Sequence, residues 1–150
     1  GPDDVYLALR GLRTMGVRMP RHHESGLKIA RWLQERSEVI RVMHPGLPQD
    51  PSHDLWKRDF TGASGLFGFV VESAKPVKAA AMMDSLEYFG MGSSWGGFES
   101  LLIPASPEKN RTATSWNPGG FTMRIHVGLE DADDLIADLD SGFDRYNKAG

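Results

Sequence analysis

Apolar positions recur at helical spacing from the first residues of the chain. Val5, Leu9, Leu12, Met19, Leu27, Ala30 and Leu33 follow one face, after a Pro2-Asp3-Asp4 start that suits a first helical turn. This predicts one long helix, or two collinear ones, from about residue 3 to about residue 36, kinked or broken at Pro20. Such an amphipathic opening is long for a small domain and points to a helix that begins against another surface. Val39–Met43 reads as a short strand, 44–52 as a Pro/Gly loop and 53–60 as a helical turn or two. Leu66–Val71 is an apolar strand. Pro76 to about Leu86 reads as a helix with Val77, Ala80, Ala81 and Leu86 inward. A strand over 101–103 is closed by Pro104, and 105–120 reads as an exposed loop with room for one helical turn. In Thr122–Val127, Met123, Ile125 and Val127 alternate with Thr122, Arg124 and His126, so a strand here has an apolar and a polar face. The last helix is capped by Glu130 or Asp131 and buries Leu135, Ile136, Leu139, Phe143 and Tyr146. The order of elements predicts an α+β domain: a small, mainly antiparallel sheet with helices packed on one face, preceded by a long N-terminal helix.

Composition narrows this picture. The chain has 150 residues, one domain's worth, with 40% hydrophobic residues. A formal net charge of −3 gives no general attraction to nucleic acid or to an anionic membrane. No apolar run is long enough to span a bilayer, and no signal-like segment opens the sequence. With no cysteine, disulfides and thiolate chemistry are excluded. The expectation is a cytoplasmic protein with no nucleic-acid or membrane partner.

Three groups of residues could carry chemistry. Arg124 places a permanent charge on a sheet face, which requires either an internal carboxylate or the carboxylate of a ligand. The residues alone leave both open. Ser93-Ser-Trp-Gly-Gly-Phe-Glu-Ser100 could hold an anion with Trp95 as a pocket wall, or could be a turn into an edge strand. The histidines lack metal-ligand spacing: His22 and His23 point about 100° apart on a helix, so no metal site is expected. Paired acids at Asp133/Asp134 and Asp138/Asp140 suit a capped, solvated helix, and Arg10, Arg13, Arg18 and Arg21 suit a solvated face or an interface.

Taken together, the opening Gly1–Met15 segment, His44-Pro-Gly-Leu, Ser94-Trp-Gly-Gly-Phe-Glu-Ser-Leu and Arg124-Ile-His-Val-Gly-Leu-Glu-Asp resemble the Cys/Met-metabolism family of pyridoxal-phosphate enzymes along the whole chain. Trp95 resembles the β-cleaving branch, where γ-cleaving and γ-replacing relatives carry leucine, while Ser93 departs from the Glu or Tyr found there. The resemblance implies the C-terminal small domain of a fold-type-I enzyme, residues 1–36 being the long connecting helix. The catalytic lysine and the pyridoxal 5'-phosphate-binding large domain are then expected upstream of Gly1. It implies a carbon–sulfur lyase that converts cystathionine, or another cysteine S-conjugate, to homocysteine or the matching thiol, pyruvate and ammonia. Arg124 is then the clamp for the substrate α-carboxylate, Ser94 assists it, and Trp95 borders the distal part of the substrate. No catalytic residue lies in this stretch, which is expected to bind no cofactor and to be inactive alone. The implied partners are an amino-acid substrate, the enzyme's own large domain and a homotetramer built as a dimer of dimers. Alternative expectations are a γ-synthase, γ-lyase or methionine γ-lyase relative, a stand-alone amino-acid-binding module, or a structural domain with Arg124 in an internal ion pair.

Overall fold

The computed structural model describes residues 1–72 and 75–149. Helix α1 runs unbroken over Pro2–Gln34, followed by β1 (Val39–Met43), α2 (His53–Asp59), β2 (Leu66–Val71), α3 (Pro76–Met83), β3 (Leu101–Pro104), β4 (Phe121–His126) and α4 (Ala132–Lys148). A single 3₁₀ turn at Pro107–Lys109 interrupts the long loop before β4. The four strands form one antiparallel sheet in the order β1-β2-β4-β3. Pro104 ends an edge strand, where its missing donor costs no ladder bond.

The cross-strand rows Phe67–Ile125–Leu102 and Phe69–Met123 put one face of the sheet inside. Against it pack Ile29 and Leu33 of α1, Ala79 and Met82 of α3, and Leu135, Leu139, Phe143 and Tyr146 of α4. The amphipathic stripe of α4 lies where its periodicity placed it. Asp131 caps it, its carboxylate accepting from the Asp133 amide at 2.8 Å.

Two expectations are corrected. Pro20 does not break α1: the helix continues through it, because the following residues His22, Ser25, Gly26, Leu27 and Ile29 are buried against the domain and hold the chain helical. In α3 the inward face is Ala79, Met82 and Met83, whereas Val77 is 57% exposed. Packing onto α4 selects the face with the longer, more adaptable methionines over the β-branched residue in the first turn.

The two halves of α1 behave differently. From Leu27 onward its apolar residues are in the core, but Val5, Leu9, Leu12 and Met15 stand in solvent. At about 1.5 Å per residue the 33-residue helix is about 50 Å long, so much of it extends beyond the sheet.

Polar clamps tie the helices at the far end. Arg36 lies over Trp32 and Phe143 and pairs with Glu38 at 2.9 Å and Asp140 at 2.6 Å. Asn147 donates to the same Glu38 at 2.7 Å. Buried Asp138 accepts the backbone amides of Glu87 and Tyr88, the latter at 2.8 Å, and so shapes the turn after α3. Asp138→Ala leaves both amides without that acceptor. It should lower stability by about 1–3 kcal/mol, read as a lower urea midpoint at unchanged slope. An unchanged midpoint would show that water replaces the carboxylate at no cost.

Candidate functional site

Arg124 occupies the third position of a transverse row on the outer sheet face, Met43–Gly68–Arg124–Ile103. Gly68 presents no side chain beside it. Its guanidinium is not in an internal ion pair: no described carboxylate lies within ion-pair distance. Instead Nη2 donates to the carbonyls of Gly92 at 3.4 Å and Ser94 at 3.2 Å. The N–H groups on Nε and Nη1 make no hydrogen bond among the described residues. The result is a whole positive charge, held by backbone dipoles and with donors to spare.

Those carbonyls belong to the segment 92–100, which His126 and Glu130 also hold. His126 lies within 3.1 Å of the Gly96 amide through Nε2, and the same nitrogen is 3.2 Å from the Gly97 carbonyl. Glu130 accepts the Ser100 amide on one oxygen and the Ser100 hydroxyl on the other, each at 2.8 Å. The Ser100 hydroxyl in turn accepts the Gly128 amide at 2.8 Å, and Leu129 donates to the Phe98 carbonyl at 2.8 Å. A Cβ on Gly128 would collide with the Phe98 carbonyl and the Glu130 carboxylate, which is why only glycine serves there. Gly96, at φ +82°, makes the turn after Trp95. From α1, Arg18 reaches the Gly96 carbonyl at 3.2 Å.

The sequence motifs around Trp95 and Arg124 are therefore two sides of one hydrogen-bonded unit. Arg124 and Ser94 are brought into contact. Trp95 stands 61% exposed on the same loop, its ring turned to solvent. The residues that sequence reasoning missed are His126, Glu130, Ser100 and Arg18. His126 shares the polar face of β4 with Arg124, so strand alternation was the available signal. Glu130 looks like a helix cap in sequence, but Asp131 takes that role and leaves Glu130 to hold Ser100.

The His44-Pro-Gly-Leu motif lies elsewhere and is structural. Buried His44 accepts the Gly46 amide at 3.0 Å and meets the Phe67 ring edge-on at 5.2 Å between centroids. His22 and His23 diverge as their helical positions require. His22 donates to the Val127 carbonyl at 2.8 Å, and His23 accepts the Ala63 amide at 2.7 Å. Two adjoining depressions of about 480 and 500 Å³ share Met19, Phe60, Gly62 and Ala63. Neither is lined by Arg124, Ser94 or Trp95.

The domain is thus an antiparallel α+β fold whose outer sheet face carries an arginine held by backbone carbonyls. The chain belongs to the family of Cys/Met metabolism PLP-dependent enzymes, whose model matches residues 1–144. Cystathionine β-lyase MetC of Escherichia coli (strain K12) is 50% identical over 147 residues, covering 95% of this chain and 37% of that enzyme. The L-alanine/L-glutamate racemase of Wolbachia pipientis wMel is 41% identical over 144 residues, covering 95% of this chain and 36% of its own length. The crystal structure of cystathionine γ-synthase from Xanthomonas oryzae pv. oryzae in complex with cystathionine superposes with a TM-score of 0.87 at 33% identity, covering all of this chain and 40% of that one. The chain thus spans little more than a third of the length of the relatives it matches. No described helix is long and apolar enough to cross a membrane.

Pyridoxal phosphate needs a lysine amine and a phosphate cradle. No hydrogen-bond or cross-strand partner of Arg124 is a lysine; Lys28 is paired with Asp133 at 2.6 Å, and Lys78 lies over the Tyr146 ring.

Burial pushes His44 below its ordinary 6.5, and burial does the same to His126. The unfolded chain then binds protons that the folded chain refuses, so stability rises with pH in that window. Their contribution is full above 6.5 and is lost as pH falls through that value toward the depressed folded-state values. The thermal midpoint should drop between about pH 7.5 and about pH 5.5, and less steeply in His44→Asn. A midpoint that climbs on acidification would contradict this.

Proposed function

We propose that this chain is the C-terminal domain of a pyridoxal-phosphate-dependent cystathionine β-lyase, which cleaves cystathionine or another cysteine S-conjugate to homocysteine or the matching thiol, pyruvate and ammonia. The observation that carries the reading is the Arg124 guanidinium, without a carboxylate partner and with its Nε and Nη1 donors unused, beside the Ser94 loop. A substrate α-carboxylate answers both needs, and bidentate pairing to arginine fixes its orientation as well as its position. Ser94 assists through its hydroxyl, which makes no hydrogen bond among the described residues, and Trp95 borders the distal arm of the substrate. The bond-breaking chemistry belongs to pyridoxal phosphate. Arg124 contributes orientation, deciding which bond at the substrate Cα is presented for cleavage.

The wider family supports a carboxylate role over a leaving-group role. The racemase and the γ-synthase differ in the bond they act on, yet both match this region closely. What amino-acid substrates of such enzymes share is the α-carboxylate. The β-lyase assignment rests on the 50% identity to the E. coli enzyme and on Trp95. In the same reading, residues 1–36 connect to the cofactor-binding large domain, which covers the exposed apolar half of α1, and the parent assembles as a tetramer.

In the parent enzyme loaded with pyridoxal phosphate, Arg124→Ala should reduce kcat/KM about a hundredfold or more, the loss expected for two charge-assisted hydrogen bonds. Arg124→Lys should recover only part, since a point charge lacks the fork. Wild-type kcat/KM in the alanine variant would refute the role. The 150-residue chain supplied with pyridoxal phosphate and cystathionine should release no pyruvate. Turnover by this chain would overturn the division of labour between the domains.

A further inference from the structure

We propose that His126 is a positioning residue for the carboxylate site: its neutral ring holds the Gly96 amide and so fixes Ser94 and Trp95 beside Arg124. The assignment rests on the substrate-carboxylate reading of Arg124. It starts from a conflict at one nitrogen. His126 Nε2 is 3.1 Å from the Gly96 amide, which must donate, and 3.2 Å from the Gly97 carbonyl, which must accept. The Gly96 amide is also 3.5 Å from Nδ1. In either neutral tautomer one ring nitrogen keeps a lone pair for Gly96. An imidazolium has no lone pair at all and retains only the bond to Gly97.

Gly96 directly follows Trp95, and its positive φ makes the local turn. Its carbonyl is held by Arg18 and the Ser94 carbonyl by Arg124. Among the side chains bonded to Ser94, Gly96 and Gly97, His126 is the one that accepts, and a proton on the ring removes that acceptor. The ring is buried and fixed from several sides. His22 of α1 lies 5.3 Å away between ring centroids and is itself tied to the Val127 carbonyl. Arg124 lies on the same strand, and Glu130 follows in the turn after it. Burial, His22 and Arg124 favour the neutral ring, while Glu130 and the Gly97 carbonyl favour the proton; the balance lies below the ordinary value of 6.5.

The test uses the full-length enzyme loaded with pyridoxal phosphate. His126→Ala should raise KM for cystathionine about three- to tenfold, the scale of one lost hydrogen bond, with kcat within about twofold of wild type. Hydrogen exchange over residues 92–98 should speed up in the same variant. His126→Gln places an amide oxygen near the Nε2 position and should recover most of KM. Because that oxygen does not titrate near neutrality, the rise in wild-type KM between about pH 7.5 and about pH 5.5 should be absent from the glutamine variant. An unaltered KM in His126→Ala, alongside an impaired Arg124→Ala, overturns the positioning role alone. An unimpaired Arg124→Ala overturns the carboxylate reading on which it rests. Should the alanine variant fail to fold, the glutamine variant decides: a flat KM over this pH range supports the assignment, and a rise parallel to wild type overturns it.

Discussion

The Glu130 carboxylate, closed on Ser100 through both oxygens, is the constraint on which the geometry around Arg124 depends. A strand and a loop 30 residues apart have no local reason to meet. Here the polar side chains of β4 and the turn after it supply acceptors and donors for the loop backbone at intervals, from Arg124 through His126 to Glu130. Because segment 92–98 has little regular structure, its amides and carbonyls would otherwise need water. The side chains of β4 replace that water, and the loop acquires a definite position without joining the sheet. Arg124 is thereby built into a frame that its own neighbours hold.

The other end of the domain is held by different means. Arg36, sandwiched with Trp32 and Phe143 and bonded to Glu38 and Asp140, secures the end of α1 to α4. Arg145 donates to the last carbonyls of α3, and Asp138 to α3's outgoing turn serves as acceptor. These clamps surround an apolar core on the opposite face of the sheet from Arg124. The packed core and the Arg124 face are thus separated by one layer of strands. Side chains on the outer face of β4 can serve binding while Met123 and Ile125 keep the sheet packed.

How much of this was legible in sequence follows from how local each signal is. The stripe of α4 was readable because periodicity, cap and terminal charges agree over 17 residues. The alternation of β4 was readable for the same reason. The inner face of α3 was not: eight residues rich in alanine and methionine carry little directional signal, and α4 chose the face. Pro20 misled because tertiary burial of the next two turns outweighs one missing donor. Arg124, Ser94 and Trp95 were identifiable as candidates, whereas the bond from Arg124 to the Ser94 backbone carbonyl had no signal in residue identity. The holding roles of His126 and Glu130 were invisible, since their partners lie about 30 residues away and are backbone groups that leave no trace in residue identity.

Arg18 gives the long helix a consequence beyond connection. It is bonded within α1 to Gly11 and Thr14 and outward to the Gly96 carbonyl, so one side chain spans a helix and the Trp95 loop. Ahead of it Val5, Leu9, Leu12 and Met15 of α1 are exposed. Arg18 thereby joins the exposed half of α1 to the turn that carries Trp95.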